Sequence, residues 1–360
     1  MSTSANAPQF GLIGHADSWA MIANLVNGLR SDSLDRLTVD QVRDIVPWIP
    51  PRSIFRVHAW SHPSGQAVEG VYIESFISPD ELTPDFTRSN IRKVKEAADY
   101  ALKEGVRIAS LGGFTSIVLE GRSGLLPQGS DTYFTTGNTL TVALIVKGVE
   151  RAAQLHHIRM PKSRLLVIGS TGDVGSGCVK YLASRVGEVL LCARNENRLS
   201  QQRTALLKAD ISCSMSTKVE ELLPVADVII CAANLDSPTF VPDHCQPGTL
   251  ICDAGYPKNM RASETASATD RLFYGGMGQL LGGLEFEPDT FGAFYKYPAP
   301  FVAHGCMLEA ILLAMEGRFE AYTTGTNRIT VEKVDEIWRL AREHGLDVSP
   351  FFNHKGLWAS

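Results

Sequence analysis

The stretch Leu165-Leu166-Val167-Ile168-Gly169-Ser170-Thr171-Gly172-Asp173-Val174-Gly175-Ser176-Gly177 constrains the fold more than any other part of the chain. Four apolar residues in a row read as a strand buried on both faces, as in a parallel sheet. Gly169, Gly172 and Gly175 then follow at three-residue spacing, and a helical pattern resumes at Cys178. A glycine motif gains meaning from that context of strand, turn and helix start. A pyrophosphate needs backbone N–H groups at a helix N-terminus with no Cβ in the way. On this reading Gly169 makes the tight turn, Gly172 admits the phosphates, and Gly175 lets helix and strand pack closely. The whole loop, Gly169, Ser170, Thr171, Gly172, Asp173, Val174 and Gly175, is the candidate cofactor cradle.

The next strand, Glu188 to Ala193, ends on Arg194 rather than on an acid. An acid there would hold a ribose 2′-hydroxyl, whereas an arginine suits a 2′-phosphate. Arg194, supported by Asn195 and Arg198, therefore points to NADPH as the cofactor. Strands are expected at 165–169, 189–193, 211–215, 228–232, 249–254 and 272–275, with helices at 175–184, 196–208 and 219–225. Their alternation predicts an α/β fold with a doubly wound parallel sheet, a Rossmann-like NADP domain. Ala232 and Gly255, at the carboxyl ends of two of these strands, complete the candidate cofactor-binding set.

At 360 residues the chain is long enough for more than one domain. Residues 1–157 are expected to form an N-terminal α/β substrate domain, 158–290 the NADP domain, and 291–360 a helical segment that packs back on the first domain. The first part reads as a strand at 10–14, a helix at 17–29 capped by Asp17 or Ser18, two β-rich runs at 54–60 and 68–77, and a helix at 84–104 with Thr83 as its cap. A strand at 106–111 and a helix at 138–157 follow. Helices at 305–318 and 331–344 close the chain.

Apolar residues make up 44% and charged residues 20%, ordinary globular values, and a net charge of −5 gives no reason to invoke nucleic acid. No apolar run reaches the length of a membrane span. No signal-peptide pattern appears at the start, and the seven cysteines lack metal-type spacing, so a cytoplasmic protein with reduced thiols and no metal is expected. Cys306 differs from the other six in standing at the start of an apolar helix, where the helix dipole favours the thiolate. His304 is close enough in sequence to assist it. Ser116, after the turn Gly112-Gly113, is a candidate donor to a carbonyl oxygen.

Taken together, these stretches resemble the long-chain acyl-acyl-carrier-protein reductases of cyanobacterial type. The resemblance is carried by Phe10 to His15, Glu69 to Ser75, Leu111 to Val118, Phe134 to Thr139, Gly169 to Ser176, Ala193 to Asn195, Gly255 to Asn259, and Cys306 with Glu309 to Leu313. It runs over nearly the whole chain in one order. It implies that a cysteine, matching Cys306, takes the acyl group from a carrier-protein thioester and that NADPH reduces the acyl-enzyme to a fatty aldehyde. It also implies an acyl carrier protein as donor and an aldehyde-deformylating oxygenase as a possible recipient of the product. The acidic carrier calls for a basic patch, for which Arg88, Arg92, Lys93 and Lys95 on one helix are candidates. Two other readings keep the dinucleotide. One is a non-covalent dehydrogenase of shikimate-dehydrogenase-like arrangement. The other is a dinucleotide-binding sensor or scaffold.

Overall fold

The computed structural model describes residues 7–30, 35–82, 84–119, 122–127, 131–235, 237–262, 270–289, 297–324 and 328–358. Thr83, expected as a helix cap, lies outside them. The chain divides into two units, each assembled from separate segments: Met1–Gly137, Leu280–Tyr297 and Cys306–Arg328 form the first, and Asn138–Gln279, Pro298–Gly305 and Ile329–Ser360 the second. Residues 138–157 and the last helix therefore count with the second unit, not with the first as the sequence reading has it.

In the first unit, strand β1 (Phe10–Gly14) lies between β3 (Ala67–Glu74) and β4 (Ile108–Leu111), parallel to both. β5 (Tyr133–Thr135) continues the parallel run beside β4. On the other side β2 (Arg52–Trp60) forms an antiparallel hairpin with β3, and β13 (Leu284–Glu287) closes that edge. The connections from β1 and β4 thus diverge at β1, which makes its carboxyl end a topological switch point, the place where ligands bind in open α/β sheets. Helix α1 (Trp19–Gly28) is capped by Ser18, whose side chain accepts from the N–H of Met21. α2 (Val39–Ile45) has a full capping box between Thr38 and Gln41.

Helix α3 (Thr87–Lys103) buries Val94, Ala97, Ala98 and Ala101 on one face. These alanines bring the helix close to the sheet core of Ile13, Ile73, Ala109 and Leu111. Lys93 is also buried, and its ammonium donates to the Ile49 carbonyl at 2.9 Å. It does not belong to a surface patch; only Arg88, Arg92 and Lys95 of the expected four are exposed. Burial pulls the Lys93 amine below its ordinary value.

The second unit holds a six-stranded parallel sheet in the order β11-β10-β9-β6-β7-β8. Its strands are β6 (Arg164–Ile168), β7 (Glu188–Cys192), β8 (Cys213–Ser216), β9 (Val228–Cys231), β10 (Leu250–Asp253) and β11 (Leu272–Tyr274). This is the doubly wound order, with its switch point between β6 and β9. α6 (Asp173–Leu182) and α7 (Glu196–Lys208) make the first two crossovers. The expected helix at 219–225 is two single 3-10 turns, Val219–Glu221 and Leu223–Val225, because Pro224 interrupts the hydrogen-bond ladder.

Helix α5 (Asn138–Leu155) is apolar nearly all round and packs with α6 and with α9 (Val331–Glu343). The last helix therefore finds its partners on α5 and α6, whose apolar sides need cover. A three-stranded sheet, β14-β12-β15, comprises β14 (Val302–His304), β12 (Met277–Leu280) and β15 (Leu346–Val348). The hairpin of β16 (Phe352–Asn353) and β17 (Gly356–Leu357) ends the fold.

Gly177 marks how tightly α5 and α6 meet. A β-carbon there would lie 2.8 Å from Val142 Cγ2 and 3.0 Å from Ile329 Cγ2. Gly177→Val is expected to destabilise the protein by roughly 1–3 kcal/mol through overpacking. Urea unfolding measures this, and an unchanged midpoint would show that the helices can part without cost.

Candidate functional site

In the second unit the turn after β6 is built around three glycines. Gly169 has φ of +82°, and a β-carbon would approach the Ala232 carbonyl oxygen to 2.6 Å. Only glycine meets both conditions at low cost. Gly175 presses its Cα face onto the Gly169 carbonyl, so α6 and the turn meet at backbone distance. Gly172 is the N-cap of α6, and no side chain caps that helix end. The first-turn N–H groups of α6 are thus without a side-chain acceptor, a setting that favours an anion. Thr171 to Val174 are half-buried around this end. The Ser170 hydroxyl is buried with no hydrogen-bond partner, as is Gln202 Oε1, while Gln202 Nε2 donates to the Ser170 carbonyl at 2.9 Å. Asn138 Nδ2 donates to Asp173 Oδ2 at 2.9 Å, and burial raises the Asp173 carboxyl despite that bond.

Arg194 and Arg198 are exposed beyond the end of β7. Asn195 between them caps α7, accepting from the Arg198 N–H at 3.0 Å. On the far side of the switch point, Asn259 clasps two loops together. It exchanges hydrogen bonds with the backbone of Ala233, at 3.1 and 2.9 Å, and donates to the Pro257 carbonyl. Gly255 leaves space for the Asn259 amide, so that glycine is explained by the clasp itself. Asp253 is buried and accepts from the N–H groups of Gly255, Asn259 and Met260. Lys258 donates to the Asp253 carbonyl at 3.1 Å and lies 4.9 Å from the Tyr274 ring centre. Burial lowers the Lys258 amine, and burial with the nearby Lys258 pushes the His304 imidazole down to about 3. His304 is a neutral base of the second unit, so it offers no positive charge to stabilise a thiolate.

In the first unit the carboxyl ends of β1, β3 and β4 gather His15, Glu74, Ser110 and the turn Gly112-Gly113-Phe114. Cys306, second residue of α8 (Gly305–Met315), brings its sulfur to this turn. A β-carbon on Gly112 would lie 3.9 Å from the sulfur, which thus stands against this turn. Burial pushes the Cys306 thiol up, the backbone N–H groups of Gly113 and Met307 pull it down, and the Glu309 carboxyl pushes it up again. Burial outweighs the helix terminus, so the expected preference for thiolate does not hold in the protein by itself. The other cysteines have less help. Burial raises Cys178 to about 12 and both Cys192 and Cys245 to about 11, with no backbone donor from another residue.

Three contacts fix Cys306. A β-carbon on Gly137, whose φ is +70°, would overlap the Cys306 Cα and carbonyl. Glu309, one turn further along α8 and fully buried, accepts hydrogen bonds from the hydroxyls of Thr135 and Thr323. Thr135 Oγ1 in turn accepts from the N–H of Thr323 at 3.1 Å and of Gly137 at 3.4 Å. This closed polar network ties α8 to the end of β5. Ser116 stands in the first turn of α4 (Phe114–Val118), where its hydroxyl donates to the Gly113 carbonyl at 2.9 Å. Its proton is therefore committed to bracing the turn.

His15 and Glu74 were not singled out from the sequence. Both end apolar strands with an ionisable side chain at the buried carboxyl side of a parallel sheet, and that signal would have found them. Glu74 is fully buried; burial raises its carboxyl to about 8, and it accepts from the Phe76 N–H at 2.9 Å and the Tyr72 hydroxyl at 3.3 Å. Phe76 is held at φ of +52°, a left-handed conformation that costs a non-glycine residue about 1–3 kcal/mol. The hydroxyls of Ser75 and Ser110 are buried nearby in sequence register without a hydrogen-bond partner.

No family model matches the chain. The long-chain acyl-[acyl-carrier-protein] reductase of Synechococcus elongatus is 31% identical over 345 residues, covering 93% of this chain and 97% of that protein. Aminotransferase PigE of a Serratia species is 24% identical over 81% of this chain, which spans only 34% of that longer protein. Among solved structures, L-tryptophan dehydrogenase from Nostoc punctiforme matches 94% of this chain and 83% of its own, at 14% identity and a TM-score of 0.37. The nucleotide-binding domain of glutamyl-tRNA reductase from Thermoplasma volcanium matches 37% of this chain and 83% of its own, at 19% identity and a TM-score of 0.27. Full-length similarity at that level to the Synechococcus protein settles the family: the chain belongs to the long-chain acyl-[acyl-carrier-protein] reductases.

Proposed function

We propose that the protein reduces a long-chain acyl thioester of acyl carrier protein to a fatty aldehyde, using NADPH and a covalent acyl-Cys306 intermediate. Family membership supports an oxidoreductase that works with a nicotinamide dinucleotide. The observation that carries the covalent reading is the Cys306 sulfur, half-buried at the start of α8 and set against the Gly112-Gly113 turn.

That placement suits the chemistry at each stage. Thiolate attack on the thioester carbonyl forms the Cys306–acyl bond and expels the carrier thiol, so the conversion of thioester to aldehyde is divided into acyl transfer and reduction. The raised thiol means that deprotonation accompanies attack and the proton leaves with the carrier thiol. Reduction turns the acyl carbonyl into a thiohemiacetal oxyanion on Cys306. The Gly113 N–H is the backbone donor assigned to that charge, with Ser116 bracing its turn. Collapse of the oxyanion breaks the carbon–sulfur bond, releases the aldehyde and frees the Cys306 sulfur for the next turnover.

The glycine turn fits the dinucleotide: uncapped N–H groups on α6, a Gly172 whose lack of a side chain leaves that helix end bare, and an orphaned Ser170 hydroxyl that a phosphate oxygen would satisfy. Exposed Arg194 and Arg198 suit a 2′-phosphate. Bound there, NADPH supplies the hydride. The same family reading makes acyl carrier protein the donor and admits an aldehyde-deformylating oxygenase as a recipient, and it suits a cytoplasmic enzyme.

Mixing the protein with a long-chain acyl-acyl-carrier protein, without NADPH, is expected to add one acyl mass at Cys306, which NADPH then discharges as aldehyde. Cys306→Ala should lower turnover more than about 10³-fold. Aldehyde formed without an adduct would establish direct hydride transfer to the bound thioester, and binding of NADPH without any turnover would point to a sensor. Arg194→Ala is expected to raise the KM for NADPH roughly tenfold, as loss of one charge-assisted bond would, with little change for NADH. Equal effects on both cofactors would remove the 2′-phosphate role. Because the thiol is raised, alkylation of Cys306 by iodoacetamide should still be climbing at pH 9. A plateau near neutrality would mean that the backbone donors outweigh burial.

A further inference from the structure

Cys306 stands against a turn that needs outside support: a β-carbon on Gly112 would lie 3.9 Å from its sulfur. Gly113, with φ of +56° and ψ of −128°, caps α4 without a side-chain hydrogen bond. Gly112 N–H is committed to the Ile13 carbonyl at 2.8 Å, and Thr115 N–H to the Gly112 carbonyl at 3.2 Å. Of the two N–H groups between them, that of Phe114 reaches His15 Nε2 at 3.0 Å, and that of Gly113 favours the Cys306 thiolate.

The His15 ring can serve there in one protonation state. It is 3% exposed. Its Nδ1 lies 3.3 Å from the Ala16 carbonyl and 3.3 Å from Asp17 Oδ1, both acceptors. The proton therefore sits on Nδ1, and Nε2 presents its lone pair to Phe114. The ring also meets the Phe114 ring edge-on, at 6.2 Å between centres and 87°. Behind it, Glu74 at the end of β3 accepts from the Phe76 N–H at 2.9 Å, and the Ala16 backbone beside His15 helps to lower its carboxyl against the push of burial.

We propose that His15 is a positioning residue for Cys306: by holding the Phe114 N–H with its unprotonated Nε2, it orients the adjoining Gly113 N–H onto the Cys306 sulfur. His15 acts through the turn and touches neither the sulfur nor the acyl group. This inference rests on the proposed role of Cys306 for its catalytic meaning, though its structural content stands without it. In the reaction the same orientation serves the thiohemiacetal oxyanion.

The test compares His15→Gln and His15→Met, two side chains of similar size. Gln can offer an oxygen to the Phe114 N–H, whereas Met cannot. The readout is the rate of iodoacetamide alkylation of Cys306 against pH, followed by peptide mass, with no thioester or cofactor present. Met is expected to slow alkylation at pH 7 about tenfold and move its profile up by about one pH unit, the equivalence of one pKa unit. Gln is expected to restore the rate to within about twofold. Equal profiles for both variants would overturn the proposal, because packing alone would then account for the residue. A second measurement uses the unaltered protein, in case the variants do not fold. Nitrogen NMR of labelled histidine should show His15 with an unprotonated Nε2 and a protonated Nδ1 from pH 6 to 8, and a doubly protonated ring at pH 7 would overturn the proposal. Failure of the parent reading looks different: Cys306→Ala would keep its reductase activity while the Gln and Met variants still diverged in alkylation.

Discussion

The contact on which the placement of Cys306 depends is backbone against backbone, where Gly137 meets it. Residue 137 must take a positive φ and must also leave room for the Cys306 Cα and carbonyl. Glycine alone satisfies both. The neighbouring polar network then holds α8 from its other side, with Glu309 receiving two threonine hydroxyls in a fully buried setting. A carboxylate so placed is costly unless its acceptor positions are filled. Thr135 and Thr323 both donate to its Oε1, and in doing so they fix the helix on which Cys306 stands.

The sulfur itself illustrates a competition between two effects of similar size. A helix start with aimed N–H groups favours thiolate, while removal from water favours thiol. At Cys306 removal from water wins, as it does at Cys178, Cys192 and Cys245. What sets Cys306 apart from those three is the pull of backbone N–H groups from other residues, those of Gly113 and Met307. Such donors are most useful to a charge that appears only during reaction, because they need not reorganise when it does. His15, Glu74 and Ser116 belong to the same logic, since each braces backbone that carries a donor or its neighbour.

Much of this was legible from the residues. The run Leu165 to Gly177 identifies β6, its turn and α6, and the alternation beyond it yields the doubly wound sheet almost strand by strand. Asn195, a helix-capping residue type, begins α7 where expected. The failures share one physical origin. Lys93 lies on a charged helix face by periodicity, but its buried partner is the Ile49 carbonyl, far away in sequence. The α9 helix is amphipathic, and nothing local says that α5 and α6 are the surface it covers. Thr135 and Gly137 read as part of a helix cap, and Glu309 as a helix position. Their common purpose exists only once the chain has brought 135, 309 and 323 together. Ser116 and Gly255 have the residue types of functional groups, yet local hydrogen bonding and packing already account for both.

The division of the chain has a consequence for how the protein is made. Each unit comprises three segments that alternate along the sequence, and Cys306–Arg328 is the last contribution to the first unit. The early sheet, with His15, Glu74 and the Gly112-Gly113 turn, leaves the ribosome long before the helix that it will hold. Until residues 306 and 309 have been synthesised, the space beside Gly137 lacks Cys306 and the hydroxyl of Thr135 lacks its carboxylate. No single cut in the gene would release either unit whole. The Cys306 sulfur is thus seated after every strand of the first sheet has been made, and a chain stalled before it would carry that sheet without the helix it holds.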